Sequence, residues 1–325
     1  MKKINLLALV LIAMMVFTSI STVAFADNTD WPKKNVNIII PFNPGGDTDF
    51  NARCYAEALP AILGCSVNCV NVNGNGGAVG ALQAYQSAND GYTVLFTSSA
   101  LLTAELAGTI DFSVDDMTFS CLAGQGPGNA IVMSKEFCDA NNITDLASLQ
   151  AYTQANPGML NCAADTGATT QVCALLLKNA GFDVNVVDTG NSSERITALL
   201  GMNVDIIINS YGSIKDYLKN GDFVCLGLCT DKHPTYIEGV QTCLEQGFDI
   251  SFPSYYFFVF PGGTDEAIAA KLADACKQVT ETESYAERVK TAYSQEVVFA
   301  AGTEGKAIVD IARENIKSLR ESFGN

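Results

Sequence analysis

A glycine-rich turn after the first apolar strand is the residue pattern best suited to chemistry. Residues 41–49, PFNPGGDTD, end a strand and lead into a helix. Gly45 and Gly46 have no Cβ, so a ligand can approach the main-chain N–H groups closely. These groups and the helix dipole favour an anion at the start of the helix. The turn can therefore hold a carboxylate without Arg or Lys; alternatively, it is a simple tight turn with Asp49 as N-cap.

Two further turns between a strand and a helix are short, polar and rich in hydroxyl groups. They are residues 165–170, DTGATT, and residues 188–193, DTGNSS. In open α/β sheets, ligands bind at the carboxyl ends of the strands, where such turns lie. For any single turn, capping of the following helix by Thr169 or Ser193 is the commoner role. Several such turns around one cleft favour a binding site.

A second glycine cluster, residues 74–80 with the sequence GNGGAVG, also precedes a helix. It lacks the Lys-Ser/Thr pair that completes a phosphate-binding P-loop, and its spacing differs from the dinucleotide fingerprint. Close packing of a helix on a strand explains the cluster better. The sequence therefore predicts no nucleotide cofactor.

Residues that typically act in catalysis are scarce. The only histidine, His233, lies beside Pro234 in a polar stretch that is typical of a surface loop. The sequence has no Gly-x-Ser-x-Gly elbow, no His-rich metal spacing and no Cys/His pair within one motif. Any of the 35 acidic residues could pair in the fold, but no pair stands out. We therefore predict no enzyme activity, no catalytic residue, no metal site and no cofactor.

The pairing of the 11 cysteines stays open. Cys65 and Cys69, and likewise Cys225 and Cys229, lie four residues apart in strand-like segments. The members of such a pair are ~13 Å apart on one face of a strand, which is too far for a direct disulfide or a shared metal ion. Two interpretations remain: small buried thiols, or one or more long-range disulfides.

The elements that must position these turns alternate between apolar strand-like runs and helical patterns. This alternation is the signature of βαβ units and a largely parallel sheet. At ~100 to 200 residues per domain, a chain of 325 residues has room for two such α/β lobes. The predicted strands are residues 36–41, 66–72, 93–97, 130–133, 160–164, 184–187, 204–209, 223–230 and 255–260, and the predicted helices begin near residues 49, 78, 101, 144, 170, 193, 264 and 303.

The chain begins like an exported protein. Lys2 and Lys3 precede an apolar run, residues 4–17, and residues 24–26, AFA, supply the small residues that signal peptidase reads. We expect a signal peptide over residues 1–26 and a mature protein that is free in the periplasm or its equivalent. The formal net charge of -16 makes nucleic acid and anionic membrane surfaces poor partners.

The order of motifs along the chain resembles the extracytoplasmic receptors of tripartite tricarboxylate transporters, also called the Bug family. Trp31-Pro32, the first strand and the PFNPGGDTD turn look like the start of that family and its ligand loop. The similarity covers nearly all of residues 31–325. It continues in the family's order and spacing through residues 73–80, 90–93, 156–158, 199–205, 217–222, 242–247 and 257–263.

The resemblance implies an α/β, two-lobed periplasmic-binding-protein fold of type II-like form, each lobe a mostly parallel sheet flanked by helices, with a ligand cleft between the lobes. Lobe 1 would comprise residues 27–124 and 226–325, and lobe 2 residues 125–225. The resemblance also implies a monomer that closes like a Venus flytrap on a small organic carboxylate. It would deliver this ligand to a membrane permease of one large and one small subunit.

Ligands of this family are held largely by main-chain N–H groups, hydroxyl groups and water. The resemblance therefore carries ligand contacts over, position by position, to residues of these kinds. The implied contacts are Phe42, Gly45, Gly46 and Asp49 in the first turn, Ser98 and Ser99 at the mouth of the cleft, and Thr166, Gly167, Thr169, Thr189 and Gly190 in lobe 2.

The sequence departs from the family at residues 188–191, which read DTGN where members usually have a Pro-Tyr-Lys-Gly-like run. An aromatic residue and a cation are thus missing, while Asp47, Asp165 and Asp188 add negative charge. Carboxylates ~5 to 8 Å away would repel a bare tricarboxylate in a poorly screened cleft. The hypothesis is therefore a monocarboxylate or an amino-acid-like zwitterion. Tighter binding of citrate than of any amino acid would contradict it.

Two other functions stay open at this point. A sensory binding subunit would present the same closed state to a membrane kinase or chemoreceptor. Permease genes beside this one would favour transport, and a histidine kinase gene would favour sensing. A secreted hydrolase or isomerase on a similar fold would turn its ligand over, but the sequence shows no activated nucleophile or acid–base pair.

Overall fold

The computed structural model describes residues 30–324, and these residues form two α/β lobes, each built on one sheet. The expected signal peptide, residues 1–26, lies outside the described residues. Within residues 30–324, no helix has both the length and the apolar character needed to cross a membrane.

Strands and helices follow one another in the alternating order that the sequence predicts. The strands are β1 Val36–Ile40, β2 Val67–Asn71, β3 Thr93–Ser98, β4 Thr118–Gln125, β5 Asn129–Ser134, β6 Leu160–Ala164, β7 Val184–Asp188, β8 Ile206–Ser210, β9 Phe223–Cys229, β10 Tyr255–Phe260 and β11 Ala300–Ala301. The helices are α1 Asp47–Leu63, α2 Ala78–Tyr85, α3 Ala100–Ala107, α4 Lys135–Asn141, α5 Leu146–Ala155, α6 Thr169–Asn179, α7 Ser192–Leu200, α8 Tyr211–Asn220, α9 Glu266–Thr280, α10 Glu283–Tyr293 and α11 Gly302–Ile316.

The sheet of lobe 1 has the strand order β11-β4-β10-β3-β1-β2. Strand β1 pairs in parallel with β2 and β3, whereas β10 runs antiparallel to β3 and β4. The central strands β1, VNIII, and β10, YYFFVF, consist mainly of β-branched and aromatic residues that are buried on both faces of the sheet. Such runs favour central strands, because helices cover both faces.

The sheet of lobe 2 has the strand order β7-β6-β8-β5-β9. Strand β6 pairs in parallel with β7 and β8, and β5 runs antiparallel to β8 and β9. The parallel part follows from two consecutive strand–helix units, in which α6 and α7 return the chain to the start of the next strand. The carboxyl ends of β6 and β8 therefore lie at the same edge of the sheet, which faces lobe 1.

The two-lobed α/β fold is confirmed, but both sheets are mixed rather than mostly parallel. The reason lies in β5 and β10, the strands through which the chain enters a lobe from the other lobe. The parallel strands end at the cleft, whereas an incoming strand starts there. It must therefore run antiparallel to its neighbours.

Two stretches of chain cross between the lobes. Residues 126–128 lead from β4 to β5, and the return crossing ends at Ser254, whose carbonyl accepts a hydrogen bond of 2.8 Å from Gly126 N–H. The expected boundary between residues 225 and 226 falls inside β9, which belongs to the second sheet. The Phe252 N–H also donates to the Cys229 carbonyl at 3.2 Å. We therefore propose that lobe 2 extends from residue 129 to about residue 252.

Aromatic side chains fill much of the core of lobe 1. The ring of Tyr55 lies 5.5 Å from that of Phe258 in an edge-on arrangement and 6.1 Å from that of Phe96. The Tyr55 hydroxyl donates to the Ala123 carbonyl, and the Tyr285 hydroxyl donates to the Tyr55 hydroxyl at 3.1 Å. The rings thus supply apolar area while their polar ends remain hydrogen-bonded.

A second cluster of buried apolar side chains runs continuously through both lobes. It includes Leu95 of lobe 1, Ile208 of lobe 2, and Leu319 of the 3₁₀ segment Lys317–Gly324. This C-terminal segment contacts α3 of lobe 1 and α6 of lobe 2. Apolar contacts therefore join the lobes.

The cysteines are all free in this structure, and most are buried. Burial raises the pKa of the Cys54 thiol to about 11 and that of Cys162 to about 12. Such thiols are protonated at neutral pH and react slowly. The structure therefore agrees with the interpretation of these residues as small buried side chains.

Replacing Phe258 by Ala should lower the free energy of unfolding by about 3–5 kcal/mol, because the change leaves a cavity at a side chain that is 0% exposed. Equilibrium denaturation of the mature protein measures this loss. Ile311→Ala removes an apolar side chain that is 63% exposed and should change stability by less than about 0.5 kcal/mol. Similar losses in the two variants would contradict the assignment of the core.

Candidate functional site

A cavity of about 330 Å³ lies between the two lobes. Residues at the carboxyl ends of the parallel strands line it, together with the first residues of three helices: Asp47 of α1, Thr169 of α6 and Ser192 of α7. The first N–H groups of a helix have no partner within the helix, and at α1 and α6 no side chain caps them, so a ligand in the cavity can accept from them. The volume suits a small organic molecule.

The PFNPGG turn forms the wall on the lobe 1 side, and it places Phe42, Gly45 and Gly46 on the cavity as the sequence predicts. Gly45 has φ of +88°, a conformation that side chains with a Cβ rarely adopt. Gly46 is the N-cap of α1 and has no side-chain cap. The open side of the turn therefore consists of backbone groups.

Asp49 does not line the cavity but supports this turn from behind. Its carboxylate is buried and accepts hydrogen bonds from Gly45 N–H at 3.0 Å, from Arg53 Nε at 2.9 Å and from Asn71 Nδ2 at 2.8 Å. Burial acts to raise the pKa of Asp49, but the hydrogen bonds from Arg53, Gly45 and Asn71 outweigh it and hold the pKa below its usual value. Asp49 therefore stays ionised and fixes the shape of the turn.

The two serines after β3 have different positions. Ser98 lines the cavity. Ser99 is 0% exposed, and its hydroxyl donates to the Pro253 carbonyl at 2.8 Å and accepts from Tyr255 N–H at 3.0 Å. Ser99 therefore ties β3 to the return crossing between the lobes.

The turn after β6 places Thr169 on the cavity, where its hydroxyl accepts a hydrogen bond of 3.1 Å from Asn129 Nδ2. Thr166 and Gly167 are not part of the cavity wall. They lie instead against Gly76 of lobe 1, close enough that a Cβ atom on Gly76 would be 2.5 Å from the Gly167 carbonyl carbon. These residues form the lip of the cleft.

The turn after β7 does not place Thr189 or Gly190 on the cavity. The Asp188 carboxylate accepts from Gly190 N–H at 2.9 Å, which closes the turn on itself. The Gly190 carbonyl accepts from the guanidinium of Arg195. Asn191 caps α7 through hydrogen bonds from the N–H groups of the first turn and is the residue of this loop that reaches the cavity.

Arg195 is the most prominent cavity residue that the sequence did not indicate. It lies in the first turn of α7 and is only 4% exposed. Its Nη2 donates to Asn209 Oδ1 at 3.0 Å, while its Nε is buried without a hydrogen-bond partner among the described residues. Burial lowers the pKa of Arg195, and nearby Asp165 and Asp47 act to raise it. The wall of lobe 2 therefore contains a cation.

Two carboxylates also line the cavity, one from each lobe. Burial raises the pKa of Asp165 to about 6, although Arg195 acts to lower it. Asp47 accepts a hydrogen bond of 2.7 Å from the Tyr256 hydroxyl. Arg195, Asp165 and Asp47 thus carry formal charges of both signs around one small cavity.

Further polar residues complete the wall and were not singled out in the sequence. Tyr293, at the end of α10, donates to the Gly45 carbonyl at 3.3 Å, and its ring lies 4.7 Å from that of Phe50. No local motif marks such residues, since only the packing of distant helices brings them to the cleft. The others include Asn73, Asn129, Asn209, Ser213, Tyr217 and Ser254.

In residues 30–324, no three His, Cys, Asp or Glu side chains come together as a metal site would require. His233 is partly exposed and does not line this cavity. Its Nδ1 lies 3.0 Å from Glu245 Oε2, and this hydrogen bond is the main cause that raises the pKa of His233. The imidazole therefore holds a surface loop.

Direct contacts between the lobes show that the cleft is closed in this structure. The Gly76 backbone touches residues 166–168, as described above. At another point, Lys215 Nζ of α8 donates to the Thr291 carbonyl of α10 at 2.6 Å. The cavity is therefore bounded by both lobes at once, so its shape depends on their closure.

Comparisons with known proteins agree with this geometry. Residues 51–315 match the model of the tripartite tricarboxylate transporter family receptor. Protein BugT of Bordetella pertussis is 29% identical over 249 residues, which cover 74% of this chain and 75% of BugT. A UPF0065 protein of Cupriavidus necator is 27% identical over 268 residues, with 81% of this chain and 80% of the relative covered.

Solved structures share the fold. Rpa4515 of R. palustris, solved with adipate, superposes with a TM-score of 0.81 at 21% identity and covers 91% of this chain and 99% of its own. MatC of Rhodopseudomonas palustris, with bound malate, gives a TM-score of 0.78 at 22% identity and covers 91% and 100%. At these identities, the likeness shows the two-lobed architecture.

Gly76→Ala should weaken ligand binding by tenfold or more, roughly the effect of 1.4 kcal/mol, without unfolding either lobe. The new Cβ would meet backbone atoms of residues 166–168 at 2.5 to 2.8 Å, so the lips could not close fully. Calorimetric titration with a ligand found by screening measures the affinity, and small-angle scattering with that ligand should show a less compact molecule than the wild type.

Gly64→Ala is the matched control for this prediction. Gly64 also has a positive φ, +71° against +60° for Gly76, but a Cβ there would meet nothing within 4 Å. Both variants carry similar backbone strain, so only steric exclusion at the lip differs. Equal affinities in the two variants would contradict the closure contact.

Asp165→Asn should stabilise the ligand-free protein at pH 7 and not at pH 4. Because the folded pKa of about 6 exceeds the usual 3.8, the folded state binds more protons than the unfolded state between these values, and stability falls as pH rises through them. We expect a gain of about 1–2 kcal/mol at pH 7, allowing for solvent screening. Denaturation at both pH values measures it.

Asp139→Asn serves as the control, since Asp139 is a surface residue of lobe 2 whose side chain is 64% exposed. It should change stability little at either pH. The contrary result is an Asp165→Asn variant that is less stable than the wild type at pH 7, or one whose stability changes by the same amount at both pH values. Either result would show that burial does not raise the pKa of Asp165.

Proposed function

The chain belongs to the tripartite tricarboxylate transporter receptor family, and from this membership we propose that it is an extracytoplasmic solute receptor. It captures a small organic carboxylate between its lobes and delivers it to a membrane permease of one large and one small subunit. The mature protein acts as a monomer in the periplasm or its equivalent. The family consists of receptors rather than enzymes, and the chemistry of the site is that of binding.

The observation that carries this proposal is the convergence of three helix N-termini on one cavity. Helices α1, α6 and α7 begin at Asp47, Thr169 and Ser192, which all line it. The starts of α1 and α6 have no side-chain cap, so they offer free N–H groups as well as the positive end of a helix dipole, which together favour an anion. At α7 the Asn191 side chain accepts from Ser193 N–H and Glu194 N–H, so this start contributes mainly its dipole. Because these groups come from both lobes, a carboxylate that accepts from them stabilises the closed state.

The relatives support a carboxylate as the ligand class. The structures with adipate and with malate contain dicarboxylates in proteins of the same fold. A cavity of about 330 Å³ accommodates molecules of comparable size. The glycine-rich turn supplies backbone N–H groups that suit such a carboxylate.

We propose that the residues indicated by the sequence fall into two groups with different roles. One group contacts the ligand through backbone groups, hydroxyls and one aromatic ring: Phe42, Gly45, Gly46, Ser98 and Thr169. The other group holds the loops and the lips of the cleft in place: Asp49, Ser99, Thr166, Gly167, Thr189 and Gly190.

Transport requires that the permease distinguish the loaded receptor from the empty one. A ligand that contacts both lobes binds the closed conformation better than the open one, and it shifts the population by that difference. Closure around a hinge of two crossings is a common form of this change. The permease then recognises the paired surfaces of the two lobes beside the cleft.

Screening by thermal shift should identify one or more carboxylates that raise the melting temperature of the mature protein, since a ligand that binds only the folded state stabilises it by mass action. The panel includes malate, adipate, citrate, monocarboxylates and amino acids. Gly45→Val should abolish the shift at the same ligand concentration, because a β-branched residue at φ of +88° distorts the turn and covers its N–H groups.

Gly221→Val is the control, since Gly221 has φ of +81° and open space around it, but ends α8 away from the cavity. Both variants should lose about 1–3 kcal/mol of stability from backbone strain, and only Gly45→Val should lose binding. The proposal fails if no carboxylate shifts the wild-type transition, or if both variants bind alike.

A further inference from the structure

Arg195 is a buried cation without a described anionic partner. Of the residues described around the cavity, it alone carries a permanent positive charge. Its two described acceptors, the Gly190 carbonyl and Asn209 Oδ1, are neutral groups, and its buried Nε donates to no described residue. A guanidinium has five N–H donors, so donors remain for another acceptor.

Burial of a charge in this way is costly unless an opposite charge compensates it. Asn209 does not provide that charge, although it holds the guanidinium in place: its Oδ1 accepts from Nη2 at 3.0 Å, and its Nδ2 donates to the Ser192 carbonyl at 3.2 Å. The side chain is thus fixed toward the cavity before any ligand binds. Such preorganisation reduces the entropy lost on binding.

Among the acids, Asp165 and Asp47 have the largest electrostatic effect on the pKa of Arg195, and both line the cavity. Neither forms a hydrogen bond with the guanidinium among the described contacts. Asp165 belongs to lobe 2 and Asp47 to lobe 1, so closure brings the two carboxylates to the same space. The charges of Asp188 and Glu194 also act to raise the pKa of Asp165, but neither residue lines the cavity.

We propose that these residues select an amino-acid zwitterion, whose carboxylate accepts hydrogen bonds from Arg195 and whose ammonium group donates to Asp165 and Asp47. This assignment rests on the proposed receptor function and specifies its ligand class. The cation lies on lobe 2 and one acid on each lobe, so a single α-amino acid engages both lobes through both of its charged groups.

The balance of charge favours this class over the alternatives. The cavity wall carries one positive and two negative side chains. A dicarboxylate would place its second negative group near Asp47 and Asp165, and a simple monocarboxylate would leave both acids without a cation. An ammonium group compensates them, and charge-assisted hydrogen bonds of this kind are the strong ones.

The test compares amino acids with the same acids lacking the amine, in matched pairs such as glutamate and glutarate, alanine and propionate, and leucine and 4-methylpentanoate. Titration calorimetry of the mature protein at pH 7.5 measures each affinity. In the pairs that bind, the amino acid should bind at least about tenfold more tightly, as expected for a charged hydrogen bond that only it can form.

Two substitutions separate the roles of the charged groups. Asp165→Asn should lower the affinity for the amino acid by tenfold or more, roughly the loss of one charged contact, and leave that for the acid without an amine unchanged or higher. Arg195→Met should weaken both members of a pair, because it removes the contact to their shared carboxylate. Arg195→Lys keeps the charge without the planar fork and should retain part of the affinity.

Control variants and melting curves guard against effects of misfolding. Asp139→Asn and Arg288→Met each remove one partner of a surface ion pair outside the cavity and should leave all affinities unchanged. Every variant must first show a cooperative melting transition.

The outcomes distinguish failure of the zwitterion assignment from failure of the receptor function. If the acids without an amine bind as tightly as the amino acids, and Asp165→Asn leaves the ratio unchanged, the zwitterion assignment is wrong while the carboxylate receptor stands. If no acid of the panel binds to the wild type, with or without an amine, the receptor function fails and the assignment fails with it.

Discussion

Every helix begins with backbone N–H groups that the helix itself cannot bond, and three helix starts of this molecule face one cavity. At α1 and α6 no side chain caps these groups, so they are open to solvent or to a ligand in the cavity. The helix starts meet there because the parallel strands end at the same edge of each sheet. The fold thereby creates an anion site from backbone groups, and Arg195 adds a cation to its wall. The remaining features of the cleft either keep these helix starts in place or restrict which anion fits.

The loops that carry the helix starts are held by polar side chains of the protein rather than by ligand. Asp49 fixes the first turn through Gly45, Asp188 closes the turn after β7 through Gly190, and Ser99 ties β3 to the return crossing. A site held in this way loses little entropy on binding. The two chain crossings are joined by a hydrogen bond from Gly126 N–H to the Ser254 carbonyl, and linked crossings of this kind are a common hinge for the closure of two lobes.

Much of the fold follows from local patterns, and the exceptions have a physical cause. The strands Leu160–Ala164 and Tyr255–Phe260 match the predicted bounds, since runs of small, β-branched and aromatic residues favour buried strands. The helices Tyr211–Asn220 and Glu283–Tyr293 were not predicted. They bury only one and two residues, so their apolar stripe is too narrow to detect. Strand Thr118–Gln125 was not predicted either. It lacks alternation because α9 and α11 pack against it and all of its residues except the last are buried.

The residues of the site also fall into two groups: those that a local sequence pattern reveals and those that only the tertiary fold brings to the cavity. The turns with Gly45 and Thr169 were visible because a strand end followed by a helix start leaves a local signature. Arg195 left none, since an arginine in the first turn of a helix is usually solvated. Its burial depends on Asn209 and on the loop at Gly190, which only the tertiary fold brings together. Thr189 was predicted as a contact from the family resemblance, position by position, and the direction in which a loop turns is set by distant contacts that such a transfer does not include.

The crystal structure of the mature protein with its tightest ligand would test the central claim most directly. The account predicts one carboxylate in the cavity between the lobes, within about 2.7–3.2 Å of backbone N–H groups of the Gly45 turn in one lobe and of donors at the start of α6 or α7 in the other. A ligand that contacts a single lobe, or that lies outside this cavity, would contradict it.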